Sequence, residues 1–133
     1  MAKKKQAGHD AVAPKPDDPY EIAYFRRHRD DDATQVAPGQ QFLASVPSAI
    51  AARIRAVVIA VAKAPPHKVA GAGNRTHYRL FCLLDTKAQG QGPLLVIIDG
   101  ASKPFRTELP QKVYDRVSAL RDEYLKRSKR SLV

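Results

Sequence analysis

The chain holds a single cysteine, Cys82, so no internal disulfide can close. That excludes the disulfide-stapled scaffolds of small secreted proteins. Cys82 stands in the apolar run from Tyr78 to Leu84 and reads as a small buried core residue, compatible with a reducing, cytoplasmic setting. Long hydrophobic runs are missing as well. The longest, near 56–62 and 93–98, fall far short of the ~20 residues a membrane helix needs, so no membrane partner is expected. The basic stretch Met1–Lys5 is followed by His9 and Asp10, not by the apolar segment of a secretory leader. No paired Cys-x-x-Cys, no His-x-x-x-His and no Gly-x-x-x-x-Gly-Lys-Ser/Thr occurs, which argues against a zinc site or P-loop nucleotide hydrolysis. Gly71 and Gly73 lack the rest of a dinucleotide fingerprint and read as a hinge or loop. No cofactor and no metal are expected.

Acidic side chains are also scarce. Thirteen Asp and Glu face 23 Lys and Arg, for a net charge of +10. Residues 1–19 contribute only +1, with four Lys against three Asp, so the excess belongs mainly to the rest of the chain. Such a surface suits a polyanion, because cations that neutralise phosphates release counterions. An acidic protein partner can use the same charge.

What is present fits one domain with one core: 133 residues, 44% of them apolar. Residues 1–19, rich in Lys and Pro, read as a disordered tail, and residues 20–133 as a single domain. Tyr20–Phe25 alternates as a strand does. Arg26–Arg29 and Asp30–Asp32 are opposite charge blocks, expected in a solvated loop. After the turn at Pro38-Gly39, Phe42, Leu43, Val46, Ile50, Ile54, Val57, Val58 and Val61 recur at helical spacing. They predict a short helix near 39–45 and a longer one near 47–63. Ser45 is a plausible cap, Pro47 suits a first turn, and Pro65-Pro66 is a stop. Tyr78–Leu84 predicts a strand, and Leu94–Ile98 a central strand buried on both faces. Gly100 breaks the pattern, and Ser102–Thr107 continues as an extended segment in which Pro104 requires an edge or bulge. Val113, Val117, Leu120 and Tyr124 form the core stripe of a last helix opened by Pro110. The order predicts an α+β fold: a small curved, mainly antiparallel sheet with an N-terminal helical hairpin and a C-terminal helix.

The residues with chemical potential are the cations Lys68, Arg75, Arg79, Lys103 and Arg106, with His67, His77, Tyr78 and Tyr114 near them in sequence. RNA can be cut without a metal when its own 2′-hydroxyl attacks the adjacent phosphate. The protein must then orient the chain, move protons and stabilise charge on the phosphorus oxygens. Arg and Lys serve the last role, and His or Tyr the second. Aromatic rings can stack on unpaired bases. Each residue also has a plain alternative. Arg79 fits a solvated strand edge, His77 simple exposure, and Tyr78 packing with a wet hydroxyl. Tyr114 fits either the rim of a site or a cover over the core.

Taken in order, these pieces resemble the RelE/HigB superfamily of bacterial toxins, in particular its phage-derived toxin-like branch. They are a first strand ending Tyr24-Phe25; Phe42-Leu43-Ala44-Ser45-Val46-Pro47 leading into the long helix; Tyr78-Arg79-Leu80-Phe81; Leu95-Val96-Ile97-Ile98; Ser102-Lys103-Pro104-Phe105-Arg106-Thr107; and the closing helix with Tyr114. They span roughly residues 20–127. The resemblance implies a ribosome-dependent, metal-independent messenger-RNA endonuclease held inactive by a cognate helix-turn-helix antitoxin. It implies an RNA-contacting arginine at Arg79, a basic pair at Lys103 and Arg106, and a family tyrosine at Tyr114. His77 joins them as a catalytic candidate, and Lys68, Arg75 and Tyr78 as RNA-binding ones. Such toxins carry a further strand with catalytic cations before the Tyr-Arg strand. Here only Lys68–His77 fills that interval, so a shortened or lost strand is expected. The alternative is therefore a catalytically impaired module that binds RNA or antitoxin.

Overall fold

The central strand explains the rest of the architecture. Leu94-Leu95-Val96-Ile97-Ile98 offers no polar face, so both of its sides must be covered, and every residue from Leu94 to Gly100 is buried in the computed structural model. The structure describes residues 19–63, 76–104 and 107–133. Among them the order is β1 (Glu21–Tyr24), α1 (Pro38–Ser45), α2 (Ser48–Lys63), β2 (Thr76–Asp85), β3 (Leu94–Pro104) and α3 (Gln111–Leu125). The sheet runs β1-β3-β2. β1 lies parallel to β3, with Glu21 opposite Leu94 and Tyr24 opposite Ile97. β2 is antiparallel to β3, from Thr76 opposite Pro104 to Asp85 opposite Leu94. The fold is α+β, as expected, and the sheet is mixed: the short pairing of β1 with β3 is parallel, while the longer ladder of β2 with β3 is antiparallel.

The predicted break at Gly100 does not occur. Leu94–Ile98 and the expected extended segment, as far as Pro104, are one strand, and the irregularity is a bulge instead. Phe81 faces Asp99 while Cys82 faces Ile97, which leaves Ile98 as the extra residue. The bulge resets which side chains share a face. Before it, Leu94 and Val96 join Ile98 on one face, against Phe25 and the Leu120 and Tyr124 of α3. Leu95 and Ile97 lie on the other face, against Val58 and Ala62 of α2, with Tyr20, Ile22 and Tyr24 alongside. After it, Asp99 bonds α3 through Arg116, while Gly100 meets α1.

The helices form where the apolar spacing predicts. α2 buries Ala51, Val58 and Ala62, and α3 buries Val113, Leu120 and Tyr124. α1 packs chiefly on β3 and only slightly on α2, unlike two helices paired as a hairpin. Its approach is close. A Cβ on Gly39 would come within 2.5 Å of Ile97, and one on Gly100 within 2.2 Å of Phe42. Ser45 does not cap α2; it ends α1, with its hydroxyl donating to the Phe42 carbonyl. Cys82 is exposed, not buried. It and Leu84 share the face that α2 covers, but α2 reaches over β1 and β3 and leaves these side chains of β2 open.

The last residues return to β1. The Val133 N–H donates to the Tyr24 carbonyl at 2.9 Å, and Phe25 bridges Leu132. Two further clamps hold the loop after β1. Arg27, expected in a solvated charge run, donates from Nε and Nη2 to the Glu123 carboxylate, and Asp31 accepts from Lys126 and Arg127. Among the described residues no helix is long and apolar enough to cross a membrane.

Candidate nucleic-acid interface

Arg79, Lys103 and Tyr114 come from β2, β3 and α3 and line one cleft of about 360 Å³. The strand register explains the first two. Arg79 pairs with Ala101 and His77 with Lys103, and side chains directly opposite or two apart on a strand share a face. The bulge at Ile98 puts that face toward α3. Phe81, two residues beyond Arg79, lies on the same face and packs edge-on against Tyr114, with ring centroids 6.1 Å apart. Tyr114 is therefore propped by an aromatic neighbour and still 44% exposed. The plain reading of this tyrosine as a cover over the core does not describe it; it stands on the rim.

The two cations differ. Arg79 is exposed, and among the described residues it has no carboxylate within ion-pair distance. Lys103 is only 9% exposed, and its amine donates to the Thr107 carbonyl. Thr107 in turn donates from Oγ1 to the Pro104 carbonyl at 2.7 Å, so it is tied both to the lysine and to the end of β3. Glu108 and Gln111 complete the polar wall of the cleft. Glu108 offsets part of the positive charge there.

Tyr78 does not join this cleft. It pairs with Ser102, on the opposite face from Arg79. It lines a second cleft of about 420 Å³, with Phe42, Pro47, Gly100 and Arg116 among its neighbours. Lys68, Arg75 and Arg106 lie outside the described residues, as does the side chain of His77, whose backbone pairs with Lys103. The interval in which a shortened strand was expected also lies largely outside them.

Three contributors stand outside the candidates singled out from the sequence. Phe81 could have been found, since i and i+2 on a strand share a face. Thr107 could not, because its role depends on a turn. Arg116 reads as an outward cation of α3, yet its Nε donates to Asp99 Oδ2 at 2.7 Å and its Nη2 lies 3.4 Å from the Gly100 carbonyl. Among the described residues no cluster of His, Cys, Asp and Glu could hold a metal ion.

The arrangement can do two things. An exposed guanidinium beside a buried ammonium can grip a phosphate, and a half-exposed aromatic ring beside them can stack on a base. No protein-family model, no curated protein and no solved structure matches the chain.

Proposed function

We propose that this protein is the toxin of a type II toxin–antitoxin pair, a RelE/HigB-type endonuclease that cuts messenger RNA on the ribosome without a metal. The observation that carries the reading is the shared cleft of Arg79, Lys103 and Tyr114. Two cations from neighbouring strands and an aromatic hydroxyl from a helix meet on one concave surface, in a chain of net charge +10. The α+β fold, with β1 parallel to a long central strand, is compatible with that reading.

The chemistry follows from the residue types. The 2′-oxygen of the RNA forms a bond to phosphorus as the bond to the 5′-oxygen breaks. One proton leaves the 2′-hydroxyl and one reaches the departing 5′-oxygen. Arg79 and Lys103 stabilise the charge that builds on the non-bridging oxygens. Tyr114 is placed to stack on a base or to pass a proton, with His77 and Arg106 as further candidates for proton transfer and charge stabilisation. The partners of this reading are messenger RNA, the ribosome and an antitoxin, and its address is the cytoplasm.

The experiment is incubation with translating ribosomes, followed by mapping of transcript 5′ ends. New ends that vanish with Arg79→Ala are the expected result. Intact transcripts and unimpaired growth on expression would reject the nuclease.

One observation favours a second reading, a binding module that no longer cuts. The Lys103 amine is buried and already bonded to Thr107. A cation so committed has less to offer a transition state. Salt-dependent RNA binding without new ends would select this reading.

A further inference from the structure

We propose that the second cleft, on the open edge of β3, is a guanine-binding subsite for single-stranded RNA. The proposal rests on the reading of the neighbouring cation cleft as a phosphate-binding surface.

The site exists because β1 is short. β1 pairs with β3 only as far as Ile97, while β3 continues to Pro104. Beyond Tyr24 no described strand covers that edge. The space is bounded by the end of α1 and the turn after it on one side and by α3 on the other, and it measures about 420 Å³. That lies within the range of small-molecule pockets, roughly 300–1,000 Å³. Gly100 shapes its floor. A side chain there would collide with the Phe42 ring, so glycine lets that ring lie against the strand. Tyr78, half-buried, supplies a second ring.

The polar wall is built, not incidental. Asp99 is 6% exposed. Its Oδ1 accepts the Gly100 N–H at 2.7 Å, and its Oδ2 accepts Arg116 Nε at 2.7 Å. The buried carboxylate therefore fixes the guanidinium at the cleft by its inner nitrogen. Nη1 of Arg116 has no partner among the described residues, and Nη2 has only the long contact to the Gly100 carbonyl.

A guanidinium offers donors only. Guanine presents two adjacent acceptors, O6 and N7, to such a fork. Adenine presents N7 beside an amino donor, which meets the fork donor to donor. Among the described residues that line the cleft there is no carboxylate. Tyr78 precedes Arg79, and Val113 of this cleft precedes Tyr114 of the other. The two clefts thus flank the same stretch of β2 and α3, which suits a base held on one side and a phosphate on the other.

The test titrates the full chain with guanosine 5′-monophosphate, adenosine 5′-monophosphate and inorganic phosphate while amide NMR signals are followed. Guanosine monophosphate should move the Gly100, Ala101 and Ser102 signals, with adenosine monophosphate about tenfold weaker or more. Phosphate alone should leave them in place. Arg116→Lys should erase the preference between the two bases. Tyr78→Leu should weaken guanosine monophosphate about tenfold with an unchanged thermal midpoint and an unchanged salt slope for RNA. Equal response to both nucleotides, a response to phosphate alone, or no response at Gly100–Ser102 would each overturn the subsite. If that happens while RNA binding still depends on salt and on Arg79, the subsite alone falls. If guanosine monophosphate binds as described but RNA binding ignores salt, the phosphate reading falls and the base site stands.

Discussion

Asp85 and Arg130, 45 residues apart, meet with Arg130 Nε 2.9 Å from Asp85 Oδ2, and their side chains are 3% and 7% exposed. The same carboxylate oxygen accepts the Tyr124 hydroxyl at 2.6 Å. Arg130 also donates from Nη1 to the Leu125 and Arg127 carbonyls, and its guanidinium lies 5.1 Å from the centre of the Tyr124 ring. The end of β2, the last turn of α3 and the returning terminal residues are thus joined at one buried ion pair. Such a pair is worth little against a well-packed apolar substitute, but removing one partner strands a buried charge. Arg130→Ala should therefore cost about 3–5 kcal/mol in urea unfolding. The cation cleft lies elsewhere, so RNA affinity of the folded fraction should not change. A loss under about 1 kcal/mol would show that water reaches the carboxylate and that the pair acts as a surface one.

Acid should destabilise the protein through three aspartates. Burial of Asp85 raises its pKa, but the Tyr124 hydroxyl, Arg130 and the Lys87 N–H outweigh this and hold it below the ordinary value of 3.8. Asp31 is held low by Lys126 and Arg127, and Asp32 by the Val36 N–H and by Thr34. For a depressed carboxylate, the stabilisation is complete above the unfolded pKa and lost as pH falls through the folded one. The melting temperature should therefore hold steady down to about pH 5 and fall steeply below about pH 4. Asp85→Asn should start from a lower midpoint and show a shallower fall. An equally steep acid limb in that variant would place the effect on other groups.

Much of this fold is legible in the sequence, and what is not has physical causes. Ile54, Val58 and Val61 at helical spacing predict a helix over 47–63, and Ser48–Lys63 is helical. The stripe of Val113, Val117, Leu120 and Tyr124 predicts α3 and its buried face. The length of β3 is not legible, because Gly100 and Pro104 are ordinarily strand breakers. Gly100 stays in the strand because Phe42 needs the room, and Pro104 because it ends the strand. Cys82 misleads because an apolar run does not say which of its residues a helix on another strand will reach. The clamps from Arg27 to Glu123 and from Asp31 to Lys126 join residues about a hundred positions apart, which no local pattern encodes. At the site, Arg79 and Lys103 share a face only because the bulge at Ile98 resets the alternation of β3. The separation of Tyr78 from Arg79 follows from strand alternation alone and was legible.

The contact of α1 with β3 yields a packing prediction. Gly100→Ala places a methyl group 2.2 Å from Phe42 and should cost about 1–3 kcal/mol, because the ring must leave its seat. Phe42→Ala alone leaves a void and is also destabilising. In the double variant the new methyl group meets empty space, so the two losses should fail to add by 0.5 kcal/mol or more, within the usual ~0.5–3 kcal/mol for residues in contact. Thermal or denaturant unfolding of the four proteins gives the coupling. Strict additivity would mean that Phe42 and Gly100 do not touch in solution.

Arg79 and Lys103 line the same cleft but should respond differently to removal. Arg79 is exposed and has no described carboxylate partner, so Arg79→Ala should leave unfolding within about 0.5 kcal/mol of wild type. If it holds a phosphate, the slope of log affinity against log salt for single-stranded RNA should shrink by about 0.7. Lys103 is buried, with its stem packed and its amine on the Thr107 carbonyl. Lys103→Met keeps most of the packing and loses that bond, worth about 0.5–1.5 kcal/mol, or more because the donor is charged. Its effect on the salt slope separates the two functional readings. A second loss of about 0.7 means that the amine leaves Thr107 to meet a phosphate, as a cleaving site requires. A loss of stability with no change in slope means that Lys103 only fastens the turn after β3. The cleft then retains Arg79 as its one demonstrated phosphate contact, which is enough to bind RNA and too little to stabilise a pentacoordinate phosphorus.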